Sequence, residues 1–192
     1  TPSDAAGTDR DIKLGVVEDD GNVRNLTLDS DTADVVLGGG IGQTARIGTL
    51  TIVDANDVTV GGSVESGAIT IRVQEAGDAD SIAIGGGLVI DTNGGNLELR
   101  SDDISFGAGT TLISTGGGAQ ALFAAETDAT TIGLGAGAPG TLNLSEAELQ
   151  AVGSNFGDLV IGVTTQQTGL VTADDNGSLV LNNTNLVINA DG

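Results

Sequence analysis

The sequence contains no histidine and no cysteine, and this absence excludes several kinds of site. A Ser-His-Asp triad uses an imidazole as its general base, and structural zinc sites and haem sites use His or Cys ligands. Acidic side chains are plentiful, so a two-carboxylate glycosidase is the enzyme class that stays open. We expect that the chain is not an enzyme, because short acidic side chains in turns usually cap backbone groups.

Cations and aromatic residues are also scarce. Six Lys and Arg oppose 27 Asp and Glu, the net charge is −21, and no cation follows Arg100. Nucleic acids and anionic lipid surfaces bind through Lys and Arg, so neither is an expected partner. The sequence has no run of about 20 apolar residues, so we expect no membrane insertion. Three Phe are the only aromatic residues, which favours a thin aliphatic core.

Glycine, with 32 residues, and pairs of aliphatic residues separated by one position are abundant. Alternation at period two is the signature of a strand with one buried face. The predicted inward pairs are Leu26/Leu28, Leu50/Ile52, Val58/Val60, Ile69/Ile71, Ile82/Ile84, Leu88/Ile90, Leu97/Leu99, Ile104/Phe106, Ile132/Leu134, Leu142/Leu144, Leu159/Ile161, Leu179/Leu181 and Leu186/Ile188.

Short strands at close intervals fit two all-β architectures, a parallel β-helix and an antiparallel β-sandwich. The units that start at Leu50, Ile69 and Leu88 are equally spaced along the chain, and their interval suits one turn of a β-helix. We predict an all-β fold, a right-handed parallel β-helix (solenoid), with the sandwich as the alternative. Residues 1–12 are polar and are predicted to be an arm or boundary, and residues 13–192 a single solenoid segment.

One segment, near 145–152, has the pattern of a short inserted α-helix. Ser145 is a favourable N-cap, and Glu148 three residues later completes a capping box. Leu144 and Leu149 occupy the positions of a hydrophobic staple, and Gly153 is expected to end the helix in the left-handed conformation.

The stretch Thr131-Ile132-Gly133-Leu134-Gly135, followed by residues 140–149 and 156–162, resembles segments of known proteins. It is similar to large secreted bacterial exoproteins described as haemagglutinin-like or β-strand-repeat proteins, the filamentous-haemagglutinin type of β-helix adhesin. The resemblance covers roughly residues 130–162. It implies a secreted, parallel β-helical protein with an adhesive or surface-forming role, and it implies no catalytic residues.

Acidic residues cluster in several predicted turns, and calcium is the cofactor that they suggest. Hard cations take six to eight oxygen ligands, mostly from carboxylates and carbonyls. The candidate ligands are Asp29, Asp31, Asp34, Asp78, Asp80, Asp174 and Asp175, and Asp102 with Asp103 forms a further pair. The alternative is that these side chains are solvated turn residues, since neither an EF-hand loop nor a calcium-binding nonapeptide repeat is present.

These observations predict an extracellular structural subunit or adhesin segment that assembles end to end into a filament or surface layer. Leu186, Val187 and Ile188 form a strand pattern near the C-terminus without a polar cap, and they are the candidate self-association residues. The alternative for this end is that the repeat array continues covalently in a longer protein. A calcium-dependent binding module of a surface adhesin is the first alternative. A carbohydrate-active β-helix enzyme is the weakest alternative.

Overall fold

The structure, a computed structural model, describes residues 10–74, 80–127, 129–135, 138–163, 168–173, 179–182 and 185–190. The described part of the chain is all-β, with 49% of its residues in strands and 4% in a helix. The strands are β1 (Ile12–Leu14), β2 (Leu26–Asp29), β3 (Val35–Leu37), β4 (Ile47–Ala55), β5 (Asp57–Val60), β6 (Val64–Val73), β7 (Ser81–Ile84), β8 (Val89–Asp91), β9 (Leu97–Arg100), β10 (Asp103–Phe106), β11 (Thr111–Ile113), β12 (Ala119–Ala124), β13 (Ile132–Leu134), β14 (Leu142–Leu144), β15 (Phe156–Ile161), β16 (Val171–Ala173) and β17 (Asn185–Ile188). The helix α1 (Glu146–Ala151) lies between β14 and β15.

Every strand pairing among the described residues is parallel. A five-stranded sheet has the order β1-β3-β5-β7-β10, and a three-stranded sheet has the order β14-β13-β16. A nine-stranded sheet contains β2, β4, β6, β8, β9, β11, β12, β15 and β17. The alternative of an antiparallel sandwich is therefore wrong for the part of the chain that the structure describes.

The chain visits three ladders in a constant order. Ladder 1 is the five-stranded sheet, and ladder 3 is the series β2-β4-β6-β9-β12-β15-β17. Ladder 2 lies between them along the chain, and it stacks Val17, Ile41, Val64, Ile90, Leu112 and Val152 through β8, β11 and single bridges. From β1 to β12 the chain passes through ladders 1, 2 and 3 five times.

The interval between equivalent residues is nearly constant in ladder 1. Its successive register partners are Ile12, Val35, Val58, Ile82 and Ile104, so each passage of the chain has nearly the same length. This spacing lets the same inward aliphatic position recur in each passage.

The regular interval expected from the sequence is only half correct. Leu50 and Ile69 are register partners, as expected, but Ile69 pairs next with Leu97 and not with Leu88. Ile90, two residues after Leu88, belongs to ladder 2, where it pairs with Val64. Both ladders use the same apolar alternation, so the sequence pattern does not distinguish them.

The core is an aliphatic stack enclosed by the ladders. The inward pairs from Leu50/Ile52 to Leu159/Ile161 are buried, except that Leu88 and Phe106 are partly exposed. Phe123 and Phe156 are fully enclosed, and Phe106 meets the Phe123 ring edge-on with centroids 5.7 Å apart. Burial decreases at both ends, where Leu26, Leu179, Leu181 and Leu186 are only partly covered and Ile188 is exposed.

The predicted helix and its capping box are confirmed. Ser145 Oγ accepts the backbone N–H of Glu148, and the Glu148 carboxylate accepts the N–H of Ser145 at 2.7 Å. The expected end at a left-handed Gly153 is wrong, because Val152 is the C-cap in an extended conformation. Val152 joins ladder 2 there, so sheet pairing ends the helix.

Candidate functional site

The tail layer, defined as residues 168–173, 179–182 and 185–190, exposes side chains that are buried elsewhere in the same ladder. Ile188 is 47% exposed, whereas its register partner Ile161 is fully buried. Val187 is 39% exposed, whereas its partner Val160 is 7% exposed. The alternation predicted that Ile188 points inward in a strand without a cap, and no further strand pairs with β17 among the described residues.

The described residues of the tail layer carry no charged side chain, whereas Asp174, Asp175 and Asp191 lie between and after them in the sequence. Its described residues are Leu, Val, Ile, Ala, Gly, Thr and Asn, although the whole chain has a net charge of −21. Leu170 and Val180 are exposed in it as well. Exposed aliphatic side chains that are gathered in one layer are the kind of surface that marks an interaction site.

The head layer, defined as residues 10–29, is the opposite end of the stack. Val16 and Val23 are exposed there, and Leu26 is only partly buried. Six of the seven exposed large hydrophobic residues in the described part of the chain therefore lie in the head or tail layer, and Val89 is the seventh. The exposed apolar surface is thus concentrated at the two ends.

Two acidic side chains, Glu18 and Asp19, accept backbone hydrogen bonds that fix the conformation of the head layer. The N–H groups of Ala45 and Thr44 donate to Glu18 Oε2 at 2.9 Å each, and they hold the pKa of Glu18 below its ordinary value. The N–H of Arg24 and those of residues 21–23 donate to the Asp19 carboxylate, which lowers the pKa of Asp19 in the same way. A cleft of about 280 Å³ lies beside this loop.

Four of the seven predicted calcium ligands, Asp29, Asp31, Asp34 and Asp80, lie in the described residues. Asp29 ends β2, Asp31 lies in a turn with φ of 57°, and Asp34 Oδ1 accepts an N–H of Asn56 at 3.0 Å. Asp80 is buried, and its carbonyl accepts Ser101 Oγ at 2.8 Å. Within the described ranges, no three acidic side chains are grouped so that they could hold a metal ion.

The remaining calcium candidates, Asp78, Asp174 and Asp175, lie outside the described residues. The self-association candidates, by contrast, all lie in the described residues. Leu186, Val187 and Ile188 come together in β17 at the outer edge of ladder 3.

A polar network at the corner between ladders 2 and 3 was not found from the sequence. Arg46 Nη2 donates to Glu65 Oε2 at 3.2 Å and to Asp91 Oδ2 at 3.1 Å. Asp91 is buried and also accepts the N–H groups of Asn93 at 2.9 Å and Thr115 at 3.0 Å. Burial raises the pKa of Asp91, but these hydrogen bonds outweigh it and the pKa is lowered overall.

A second network follows ladder 3. Arg72 Nε and Nη2 donate to Glu98 Oε1 at 3.0 and 2.7 Å, and the buried Arg100 pairs with the same oxygen at 3.2 Å. Nearby, burial raises the pKa of Glu126, while Arg100 and Arg72 counteract this effect. Arg72 and Glu98 lie on neighbouring strands and are far apart in sequence, so only knowledge of the register could have predicted their contact.

Comparison with known proteins gives no relative for this chain. Neither protein-family models, nor curated proteins, nor solved structures match it. In the described part of the chain, no helix has the length and apolar character needed to cross a membrane.

Proposed function

We propose that the chain is a right-handed parallel β-helix that acts as an extracellular structural subunit or adhesin segment. It assembles end to end into a filament or surface layer. The constant order of the three ladders and the nearly constant interval between register partners in ladder 1 support the β-helix. A right-handed connection is the general rule for parallel strands of one sheet.

The exposure of the tail layer is the observation that carries end-to-end assembly. Ile161 and Ile188 occupy equivalent positions, and only the side chain without a further strand beside it is exposed. Covering this layer with another rung removes apolar surface from water, which stabilises association in proportion to the area. The rung would also pair the outer backbone groups of β17.

The extracellular location rests on the similarity of residues 130–162 to secreted β-strand-repeat exoproteins. The high negative charge supports solubility of a long assembly and opposes its lateral bundling. The calcium-dependent alternative gains no support from the described acids, since they are not grouped as ligands.

Sedimentation velocity and electron microscopy of the purified chain at high protein concentration test the assembly. We expect species larger than the monomer that appear as filaments or short stacks. The variant Ile188→Lys should shift the distribution towards monomer, because Ile188 is an inward position of β17 and a charge there must be desolvated in the joint.

Val89→Lys is the matched control. Val89 and Ile188 are both exposed aliphatic residues, at 39% and 47%, but Val89 lies in β8, within the stack. We expect this variant to assemble like the unmodified chain. A strictly monomeric unmodified chain, or equal effects of the two substitutions, would contradict end-to-end assembly through the tail layer.

A further inference from the structure

We propose that two copies join head to tail by adding β2 of one copy to β17 of the other, in parallel. In the proposed register, Leu26 lies beside Leu186 and Leu28 beside Ile188. This inference rests on the proposed function, and it names the partner as a second copy and fixes the two strands and their alignment. Ladder 3 would then continue through the joint without interruption.

The outer backbone groups of β17 agree with this register. The N–H of Asn189 donates to Ile161 O at 2.8 Å, so the polar groups of Asn189 point towards β15. Backbone groups alternate in direction along a strand that pairs on both sides. Those of Leu186 and Ile188 therefore point away from β15, towards the place of a next strand.

The outer backbone groups of β2 are complementary. The N–H of Gly48 donates to Arg24 O at 2.7 Å, so the groups of Arg24 and of every second residue after it point towards β4. The groups of Asn25, Thr27 and Asp29 point away from β4. With Leu26 beside Leu186, the outward groups of β17 meet these three residues in the alternating pattern of a parallel ladder.

The side chains are compatible with the same alignment. Leu26 and Leu28 are the inward residues of β2, and Leu186 and Ile188 are the inward residues of β17. A shift by one residue would place inward side chains beside outward ones, because successive side chains lie on opposite faces.

An asparagine contact inside the chain supports the register independently. Asn25 Oδ1 accepts the N–H of Thr49, and Asn96 Oδ1 accepts the N–H of Gln120, both at 3.0 Å. In each case the residue that donates its N–H is the register partner of the asparagine on the next strand of ladder 3. Asn185 has this position in the last strand, where the N–H of Asn25 from a second copy would be its partner.

Strand direction favours a head-to-tail joint over a tail-to-tail joint. Head-to-tail addition continues ladder 3 with a parallel pair, as in every other pairing of that ladder. A two-fold tail-to-tail contact that kept the inward faces together would instead pair β17 with β17 in antiparallel orientation.

Cysteine cross-linking tests the register cleanly, because the chain has no cysteine of its own. Thr27 and Val187 are exposed on the outer face. In the proposed joint they are direct neighbours, at the strand spacing of about 4.8 Å, which a disulfide can bridge. A mixture of the single variants Thr27→Cys and Val187→Cys should give a disulfide-linked dimer on mild oxidation.

Three controls define the outcome. Each single variant alone should give at least about tenfold less dimer than the mixture, as should Val187→Cys mixed with Asp29→Cys, whose Cα would lie beyond the roughly 7 Å limit for a disulfide. A dimer from Val187→Cys alone would show a tail-to-tail joint, and preferential reaction with Asp29→Cys a shifted register. Either result overturns the inference.

The failure of the inference is distinguishable from the failure of the proposed function. If sedimentation shows assemblies but the mixture does not cross-link, the joint differs from the one inferred and end-to-end assembly stands. If the unmodified chain stays monomeric, both proposals fail. Asn185→Ala should weaken association about fivefold, the effect of one hydrogen bond, whereas Asn143→Ala, at an exposed residue bonded only locally, should not change it.

Discussion

The Glu148 carboxylate accepts the backbone N–H of Phe106 at 3.3 Å, across 42 residues of sequence. Phe106 ends β10, the last strand of ladder 1, and β14 packs beside it without forming a ladder with it. Glu148 thus supplies an acceptor where the next strand would otherwise have supplied a carbonyl. The helix cap therefore lies at the boundary between the regular stack and the inserted segment.

We predict that Ser145→Ala lowers the free energy of unfolding by about 0.5–2 kcal/mol, the usual cost of losing an N-cap. Ser145 accepts the N–H of Glu148, and its own N–H and hydroxyl donate to the Glu148 carboxylate at 2.7 and 2.8 Å. Chemical denaturation measures the change. Ser154→Ala, at an exposed serine after the helix, is the control and should be neutral; equal effects of both substitutions would contradict the cap.

The capping box was predictable because its residues are local in sequence. Ser145 and Glu148 are three positions apart, and the chemistry of the motif is independent of the rest of the fold. The strand alternation was predictable for the same reason. The choice of partner strand was not predictable, because Leu88–Ile90 shows the same alternation as the ladder 3 strands but pairs in ladder 2.

The polar networks at the corners were unpredictable for a related reason. Arg46 and Asp91 are 45 residues apart, and the number of residues between register partners of ladder 3 varies along the chain. Without the register, neither residue differs from a solvated turn residue. The apolar pairs identify strands, but the loop lengths determine which charged groups meet.

We predict that Asp91→Asn lowers the free energy of unfolding at neutral pH by about 1–3 kcal/mol, the cost of weakening hydrogen bonds to a buried charged group. Burial raises the pKa of Asp91, but the bonds from Thr115, Asn93 and Arg46 lower it further. A folded-state pKa below the unfolded value of about 3.9 stabilises the fold above that pH, and this contribution is lost as the pH falls towards the folded pKa.

Denaturation curves at pH 7 and at successively lower pH values measure this contribution. The unmodified chain should lose more stability on acidification than the Asp91→Asn variant does. Asp103→Asn, at an exposed acid of β10, is the control and should change stability by less than about 0.5 kcal/mol. If stability depended on pH in the same way in the Asp91→Asn variant and the unmodified chain, Asp91 would not be the source of the stability lost on acidification.

We predict that Gly42→Ala destabilises the fold by about 2–5 kcal/mol, the sum of left-handed strain and steric overlap. Gly42 has a φ of 68°, and a Cβ there would overlap Glu65 O on the next passage of the chain. Gly117 has a φ of 70° but nothing within 4 Å of the added carbon. Gly117→Ala should therefore cost only about 1–2 kcal/mol. Thermal or chemical denaturation compares the two, and equal costs would mean that the strands can move apart at Gly42.

We predict that self-association strengthens as the salt concentration rises. Each copy carries a charge of −21, so two copies repel each other as they approach, and the tail layer that forms the joint has no charge among its described residues. Salt shortens the screening length from about 10 Å at 0.1 M to about 3 Å at 1 M, which reduces this repulsion but leaves the apolar contact intact. An increase in NaCl from about 0.05 to 0.5 M should therefore lower the dissociation constant by about tenfold, which corresponds to about 1.4 kcal/mol.

A joint held by ion pairs would behave in the opposite way and weaken. Calcium chloride at matched ionic strength separates general screening from specific binding: equal effects of the sodium and calcium salts fit an apolar joint, and a much larger effect of calcium favours the calcium-dependent module instead. Sedimentation equilibrium across this series is the measurement, and association that weakens with added NaCl would contradict the proposed joint.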